Sequence, residues 1–241
     1  MMNYHESWTT EAKSHFEEII KAHGGWEAWN QLECLSLELK SFKGFLVFVK
    51  GLGRTFAAPE QIEVFPKKRR VDFKYPSHTD TFESGKIIYS PEKKTVDDGR
   101  TLFRKTSFEK WYPQHAAYFF GYAWANYLSY PFILPEYRLL SWERKQQVTT
   151  FTIEFPESLH THSRVQKFYF NEMNLLSRND YRAEFAGPLV YGAHHTSEYV
   201  NFKGLQVAQL REVYPRLGRV VIPIYGIYAE LVVKDLVLRK S

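Results

Sequence analysis

His162, Tyr181 and His195 are the residues whose side chains could move protons. His160 and His162 are two apart, so in a strand they share one face, whereas the adjacent His194 and His195 point to opposite faces. Tyr181 lies on the strand face opposite Asp180, together with Leu175, Ala183 and Phe185. A buried tyrosine hydroxyl needs a hydrogen-bond partner, and His162 or His195 could supply it. A Tyr–His pair does general acid–base work when its pKa values are tuned, and is equally able to be a structural hydrogen bond. Two or three of these histidines could also meet around zinc. No acidic or thiol ligand completes such a set, so no metal is expected.

A second group is aromatic. Tyr118, Phe119, Phe120, Tyr122, Trp124 and Tyr127 fall within residues 114–128, which read as a helix, and they cannot all face one core. Some of them should line a pocket or meet a partner. Tyr118, Phe120, Trp124 and Tyr127, with Tyr199 from a later strand, are the candidate ligand-binding residues. The remaining polar features read more plainly. Asp180 alternates with Arg178, Arg182 and Glu184, the pattern of a solvated charged face with cross-strand ion pairs. Lys67-Lys68-Arg69-Arg70 follows Pro66 between two strand patterns and reads as a hairpin turn. Cys34 sits in an alternating strand, where an inert buried thiol is expected. There is no phosphate-binding loop, no nucleophile elbow, and no third glycine after Gly51-Leu52-Gly53 to complete a dinucleotide fingerprint. No cofactor is expected.

Composition bounds the rest. The chain has 241 residues, 44% of them hydrophobic and 24% charged, which excludes a disordered or collagen-like polymer. Six Trp, 16 Tyr and 19 Phe make 17% aromatic, suited to a β-rich core or to walls that meet an amphipathic ligand. A single cysteine forms no internal disulfide. The net charge of +5 is scattered apart from the one basic turn, so nucleic acid is not an expected partner. Residues 116–135 carry no charge over about the length of a spanning helix, yet include Asn126, Ser129, Gly121, Pro131 and Pro135. A buried or half-buried helix fits them better than a membrane span. The first ten residues lack the basic and apolar regions of a signal peptide, so a cytoplasmic location is expected.

The elements that must position these residues follow from periodicity. Ser7, Thr9 or Thr10 can cap a first helix whose buried face is Ala12, Phe16, Ile19, Ile20 and His23, ended by Gly24-Gly25. Residues 26–32 read as a second short helix. The period then becomes two: Leu35, Leu37 and Leu39 alternate with polar residues, and 45–49 follow as another strand. Residues 62–65 and 71–75 form a hairpin, and 86–90 and 101–105 flank the turn Asp97-Asp98-Gly99. After the aromatic helix, strands resume at 148–155, 164–170, 175–185, 194–200, 205–214, 220–227 and 231–238. So many sequential hairpins imply an antiparallel meander that curls to bury one face.

Three segments carry a resemblance. Residues 111–134 (WYPQHAAYFFGYAWANYLSYPFIL), 161–181 (THSRVQKFYFNEMNLLSRNDY) and the stretch from Ala193-His194-His195 through Tyr214 resemble a group of uncharacterised bacterial proteins. That group is similar in hairpin order to the LolA/LolB lipoprotein-carrier superfamily. The resemblance implies a mainly β (α+β) fold: an antiparallel sheet curled into a half-barrel, with helices over its apolar hollow. It implies no catalytic residues. The first residues show neither the export signal of the periplasmic carriers nor the lipid-attachment cysteine of their outer-membrane partner, so a periplasmic lipoprotein shuttle is not expected.

The expectations are these. Residues 1–241 form one domain: a helical segment over 1–32, a strand set over 34–110, an inserted aromatic helix over 111–135 and a strand set over 148–238. The hollow binds an apolar small molecule. The alternatives are a cofactor-independent cyclase, isomerase or hydro-lyase in the same pocket, with His162, Tyr181 and His195 as acid or base, and a scaffold that forms a homodimer through its aromatic patch.

Overall fold

Thr9 starts the first helix. Its hydroxyl accepts from the Ala12 N–H at 3.2 Å, and α1 runs over Thr10–Ala22 with Ala12, Phe16, Ile19 and Ile20 buried. The computed structural model describes residues 4–44, 51, 59–89, 93–103, 110–183, 191–218, 220–222 and 227–238. The expected strand over 45–49, and most of the Gly51-Leu52-Gly53 turn after it, lie outside the described residues, as do Glu184 and Phe185. The second helix, α2, spans Gly25–Gln31 and the third, α3, spans Pro113–Tyr127.

Gly24 makes the α1–α2 corner. Its φ is 115°, and a Cβ there would sit 2.1 Å from the Gly204 carbonyl oxygen. Backbone meets backbone at this point, and the Gln206 N–H donates to the His23 carbonyl beside it at 3.1 Å.

The strands are β1 (Leu32–Gly44), β2 (Gln61–Phe65), β3 (Arg70–Lys74), β4 (Thr79–Glu83), β5 (Lys86–Tyr89), β6 (Lys94–Val96), β7 (Arg138–Lys145), β8 (Val148–Glu154), β9 (Val165–Phe170), β10 (Leu176–Arg182), β11 (Tyr191–Phe202), β12 (Leu205–Leu217), β13 (Val220–Val221) and β14 (Ile227–Leu238). Among the described residues they form one curled antiparallel sheet, a half-barrel, in the order β6-β5-β4-β3-β2-β1-β14-β12-β11-β10-β9-β8-β7, with β13 beside β12. Each half is a meander, because successive strands joined by short turns pair with each other. The last strand closes the gap between the halves: β14 pairs with β1 on one side and β12 on the other.

The helices cover the concave face. Phe16 of α1 lies edge-on to Phe151 of β8 at 5.1 Å and Phe170 of β9 at 6.1 Å. In α2, Trp29 stacks on Phe132 at 4.6 Å and an interplanar angle of 3°. The third helix crosses the other half. Gly121 faces Phe82 of β4 so closely that a Cβ would stand 2.2 Å from the Phe82 Cβ. A helix with apolar residues all round is a buried helix, and twelve of the fifteen residues of α3 are buried. The aromatic rings that cannot share one face are accommodated because α3 is enclosed on most sides.

The structure corrects several local expectations. Residues 99–103 form a 3-10 turn, not the start of a strand, and 104 and 105 lie outside the described residues. The partner of β5 is instead β6. Three strands, β4, β6 and β7, lack a readable signal. The first has Asp80 buried inside its pattern, the second is three residues long, and six of the eight residues of β7 are exposed, all but Leu139 and Trp142. His160 and His162 sit in the connection between β8 and β9, not in a strand. Asp180 is buried, not solvated. Arg178 of the same strand donates to it at 2.6 and 2.9 Å, and the cross-strand partner is Arg216, 3.7 Å away, in a covered setting.

Candidate functional site

The polar residues inside the hollow gather around the C-terminal half of α3. The helix is set by Pro113 in its first turn and by His115, whose Nδ1 accepts from the Tyr112 N–H at 3.1 Å. That register turns Tyr118, Tyr122 and Asn126 toward the 156–164 connection. Tyr118 Oη is 2.7 Å from His160 Nδ1, Tyr122 Oη is 3.1 Å from His162 Nδ1, and the Asn126 amide donates to the His160 carbonyl at 2.7 Å.

His162 is the centre of this network. Its Nε2 is 2.6 Å from Tyr127 Oη, which in turn lies 3.2 Å from Tyr181 Oη. The Tyr181 ring stacks on the imidazole at 4.2 Å and 12°. Burial lowers the His162 pKa to about 3, so the ring is neutral, with one nitrogen donating to a tyrosine and the other accepting from one. Burial likewise raises the Tyr127 and Tyr181 hydroxyls well above their ordinary value. The string Tyr122–His162–Tyr127–Tyr181 is therefore a protonated, uncharged hydrogen-bond chain.

Of the three acid–base candidates, His162 and Tyr181 come together and His195 does not. Strand register decides this: Asn179 of β10 pairs with His194, while Arg178 pairs with His195. His194 therefore shares the inner face with Asn179 and Tyr181, and its ring lies 4.1 Å from that of Tyr127. His195 faces outward, 5.9 Å from Tyr214. The hydroxyl partner of Tyr181 is Tyr127, not a histidine. Among the ligand-binding candidates, Tyr127 and Tyr199 line a cavity. Tyr118, Phe120 and Trp124 are buried in the packing of α3.

Two cavities flank the last turn of α3. One is a cleft of about 360 Å³ lined by Phe82, Tyr122, Ala125, Asn126, Tyr137 and Leu159, with Arg69, Glu136 and His160 among the polar groups along it. Burial, and then the charge of Arg100, lower the His160 pKa to about 4. The second, of about 30 Å³, lies beyond Tyr127 between α2 and β12, with Trp29, Leu35, Phe132 and Arg211 among its walls. Sequence reasoning missed Arg211, and it named His194 only as one of the histidines that could meet around zinc. Arg211 was readable by parity, since it follows Leu205 and Val207 at even spacing along β12 and so shares their inward face. Among the described residues no three His, Cys, Asp or Glu side chains stand close enough to hold a metal, and no helix is long and apolar enough to cross a membrane.

No protein-family model and no curated protein sequence matches the chain. Among solved structures, the chain is similar to a LolA superfamily protein from Nitrosomonas europaea, at 12% identity and a TM-score of 0.48, covering 92% of this chain and 93% of that one. It is also similar to a DUF1329 family protein from Desulfovibrio piger, at 12% identity and a TM-score of 0.40, covering 93% of this chain and 92% of that one. The half-barrel described above stands on its own strand order.

Proposed function

We propose that the protein binds an apolar small molecule in the hollow of its half-barrel, around the C-terminal half of α3. The observation that carries this reading is the 360 Å³ cleft against that helix. Its size lies within the range of small-molecule sites, roughly 300–1,000 Å³, and so does its character: an aromatic and aliphatic wall with a few convergent polar groups. Tyr122, Phe82, Tyr137 and Leu159 supply the wall, and Arg69, Asn126 and His160 supply the polar groups.

Ser158 is exposed at the rim of the cleft, so it gives a test that spares the core. The neutral fluorophore N-phenyl-1-naphthylamine is expected to bind with enhanced emission. Ser158→Trp should fill the mouth and weaken that binding at least about tenfold, a loss of roughly 1.4 kcal/mol, with an unchanged melting temperature. Equal affinity in the variant would remove the cleft from the site. A wild-type protein that does not bind the probe would overturn the reading.

The second reading is a cofactor-independent enzyme in the same hollow, favoured by the Tyr122–His162–Tyr127–Tyr181 chain. Both ring nitrogens of His162 are already engaged, and the ring is sunk away from the cleft. That arrangement suits a fixed hydrogen-bond network better than a proton shuttle. Turnover of an apolar substrate that is abolished by His162→Gln and by Tyr181→Phe, with the fold retained, would reverse this preference.

A further inference from the structure

Among the described residues, Arg211 is a buried cation without a counter-ion. It is 5% exposed, and among the described residues it makes no hydrogen bond and no ion pair; its Nε is buried and unpaired. The ring centroid of Tyr127 is 5.7 Å from the guanidinium carbon. The other groups that face it do not neutralise it. Tyr127 and Tyr199 keep their protons because burial raises both, and His194 is held neutral by burial first and by the Arg211 charge second. The Tyr199 hydroxyl is committed to the Leu176 carbonyl at 2.7 Å. Glu212 points to the other face of β12, where it accepts from the Tyr214 hydroxyl.

Buried charges elsewhere in the molecule are met. Asp72 accepts two hydrogen bonds from Arg70, and Asp180 accepts two from Arg178. A guanidinium cannot shed its proton to escape the cost of burial, so an unpaired one is a strong attractor for an anion. The cavity beside Arg211, about 30 Å³, has room for a group the size of a carboxylate. Trp29, Leu35, Phe132 and Val207 are among its apolar walls, and His23, Tyr130 and Gln206 also line it.

We propose that Arg211 binds the carboxylate end of an amphipathic ligand whose apolar part lies in the hollow. The guanidinium presents paired N–H donors to the two carboxylate oxygens, a geometry that lysine does not reproduce. The proposal rests on the reading that the hollow takes an apolar molecule and adds the chemistry of one end of it.

Displacement of N-phenyl-1-naphthylamine by octanoate, 1-octanol and acetate tests it. In the wild type, octanoate should compete at a concentration at least tenfold below that of 1-octanol, and acetate should not compete. Arg211→Met should remove the octanoate advantage and leave 1-octanol unchanged. Its melting temperature should rise, because the variant no longer buries an unpaired charge. Arg211→Lys should keep part of the advantage. Equal octanoate competition in wild type and Arg211→Met overturns the anion site while leaving the hollow as a binding site. Competition by acetate as strong as by octanoate overturns the amphipathic character of the ligand. If the probe binds but neither octanoate nor 1-octanol displaces it, the anion proposal falls while the cleft remains the site of the probe.

Discussion

Lowering the pH from 7 to 4.5 is expected to cost the protein about 5 kcal/mol of stability, through buried histidines that cannot take up a proton while folded. His23 shows why. Its Nδ1–H donates to the Ile19 carbonyl at 2.8 Å, and its Nε2 accepts from the Leu176 N–H at 3.3 Å. A second proton would have to displace that N–H inside the core. Burial therefore lowers the His23 pKa to about 4, and that of His162 to about 3. Both values lie below the ordinary 6.5, so the unfolded chain binds more protons than the folded one at any pH between. Stability is level above about pH 7 and falls as the pH drops through 6.5 toward 4. Two protons correspond to roughly 2.7 kcal/mol per pH unit. His194, also pushed well down by burial, acts in the same direction. The total is comparable to the whole stability of a small protein, about 5–15 kcal/mol. Urea unfolding at pH 7, 6 and 5 measures the slope, and His23→Gln should reduce it by about one proton. A stability that does not change between pH 7 and 5 would show that these rings are open to solvent.

Gly121→Ala separates packing from helix propensity, because the two predict opposite signs. Alanine is the better helix former by about 1 kcal/mol. The added Cβ, however, would stand 2.2 Å from the Phe82 Cβ and 2.4 Å from its Cγ. These atoms belong to the root of a fully enclosed ring, so the helix must lift off β4. Overpacking of this kind costs about 1–3 kcal/mol, and more where nothing can shift. A net loss of about 2 kcal/mol is expected, or a fall of roughly 4–8 °C in melting temperature. The contrary result, a higher melting temperature, would mean that α3 is not pressed against β4. The effect of Gly121→Ala should shrink in a Phe82→Ala background, since contacting residues are not additive.

The helices carry both His23, at the C-cap of α1, and Gly121, within α3, and the sequence makes these helices more legible than the partners they meet. The helices and most hairpins are readable because their signals are local. Thr9 and Gly24-Gly25 bracket α1, Pro113 opens α3, and Phe151 and Ile153 alternate with polar residues along β8. Curling of the sheet follows from the number of sequential hairpins and from one helix too aromatic to be exposed. The strands that escape are β4, β6 and β7, where a buried aspartate, a three-residue length and an exposed edge remove the period-two pattern.

The site is legible in residue type and less so in partnership. His162, Tyr181 and Tyr127 are prominent in the sequence and meet in the fold. Their meeting depends on long-range placement: the 156–164 connection folds over α3, and the register of β10 on β11 brings His194, not His195, to the inner face. A shift of one residue in that register would exchange the two histidines, and nothing local to either fixes it. Arg211 is present in the alternation of β12, but that it has no counter-ion among the described residues becomes visible only once the fold places those neighbours around its guanidinium.

Native mass spectrometry of the protein as purified, followed by denaturing release, tests the central claim of an apolar ligand in the hollow most directly. The account predicts a mass above that of the bare chain, with a surplus that disappears on denaturation and is recovered as a small apolar molecule. A bare mass that stays bare after incubation with a tenfold excess of octanoate or 1-octanol would contradict it.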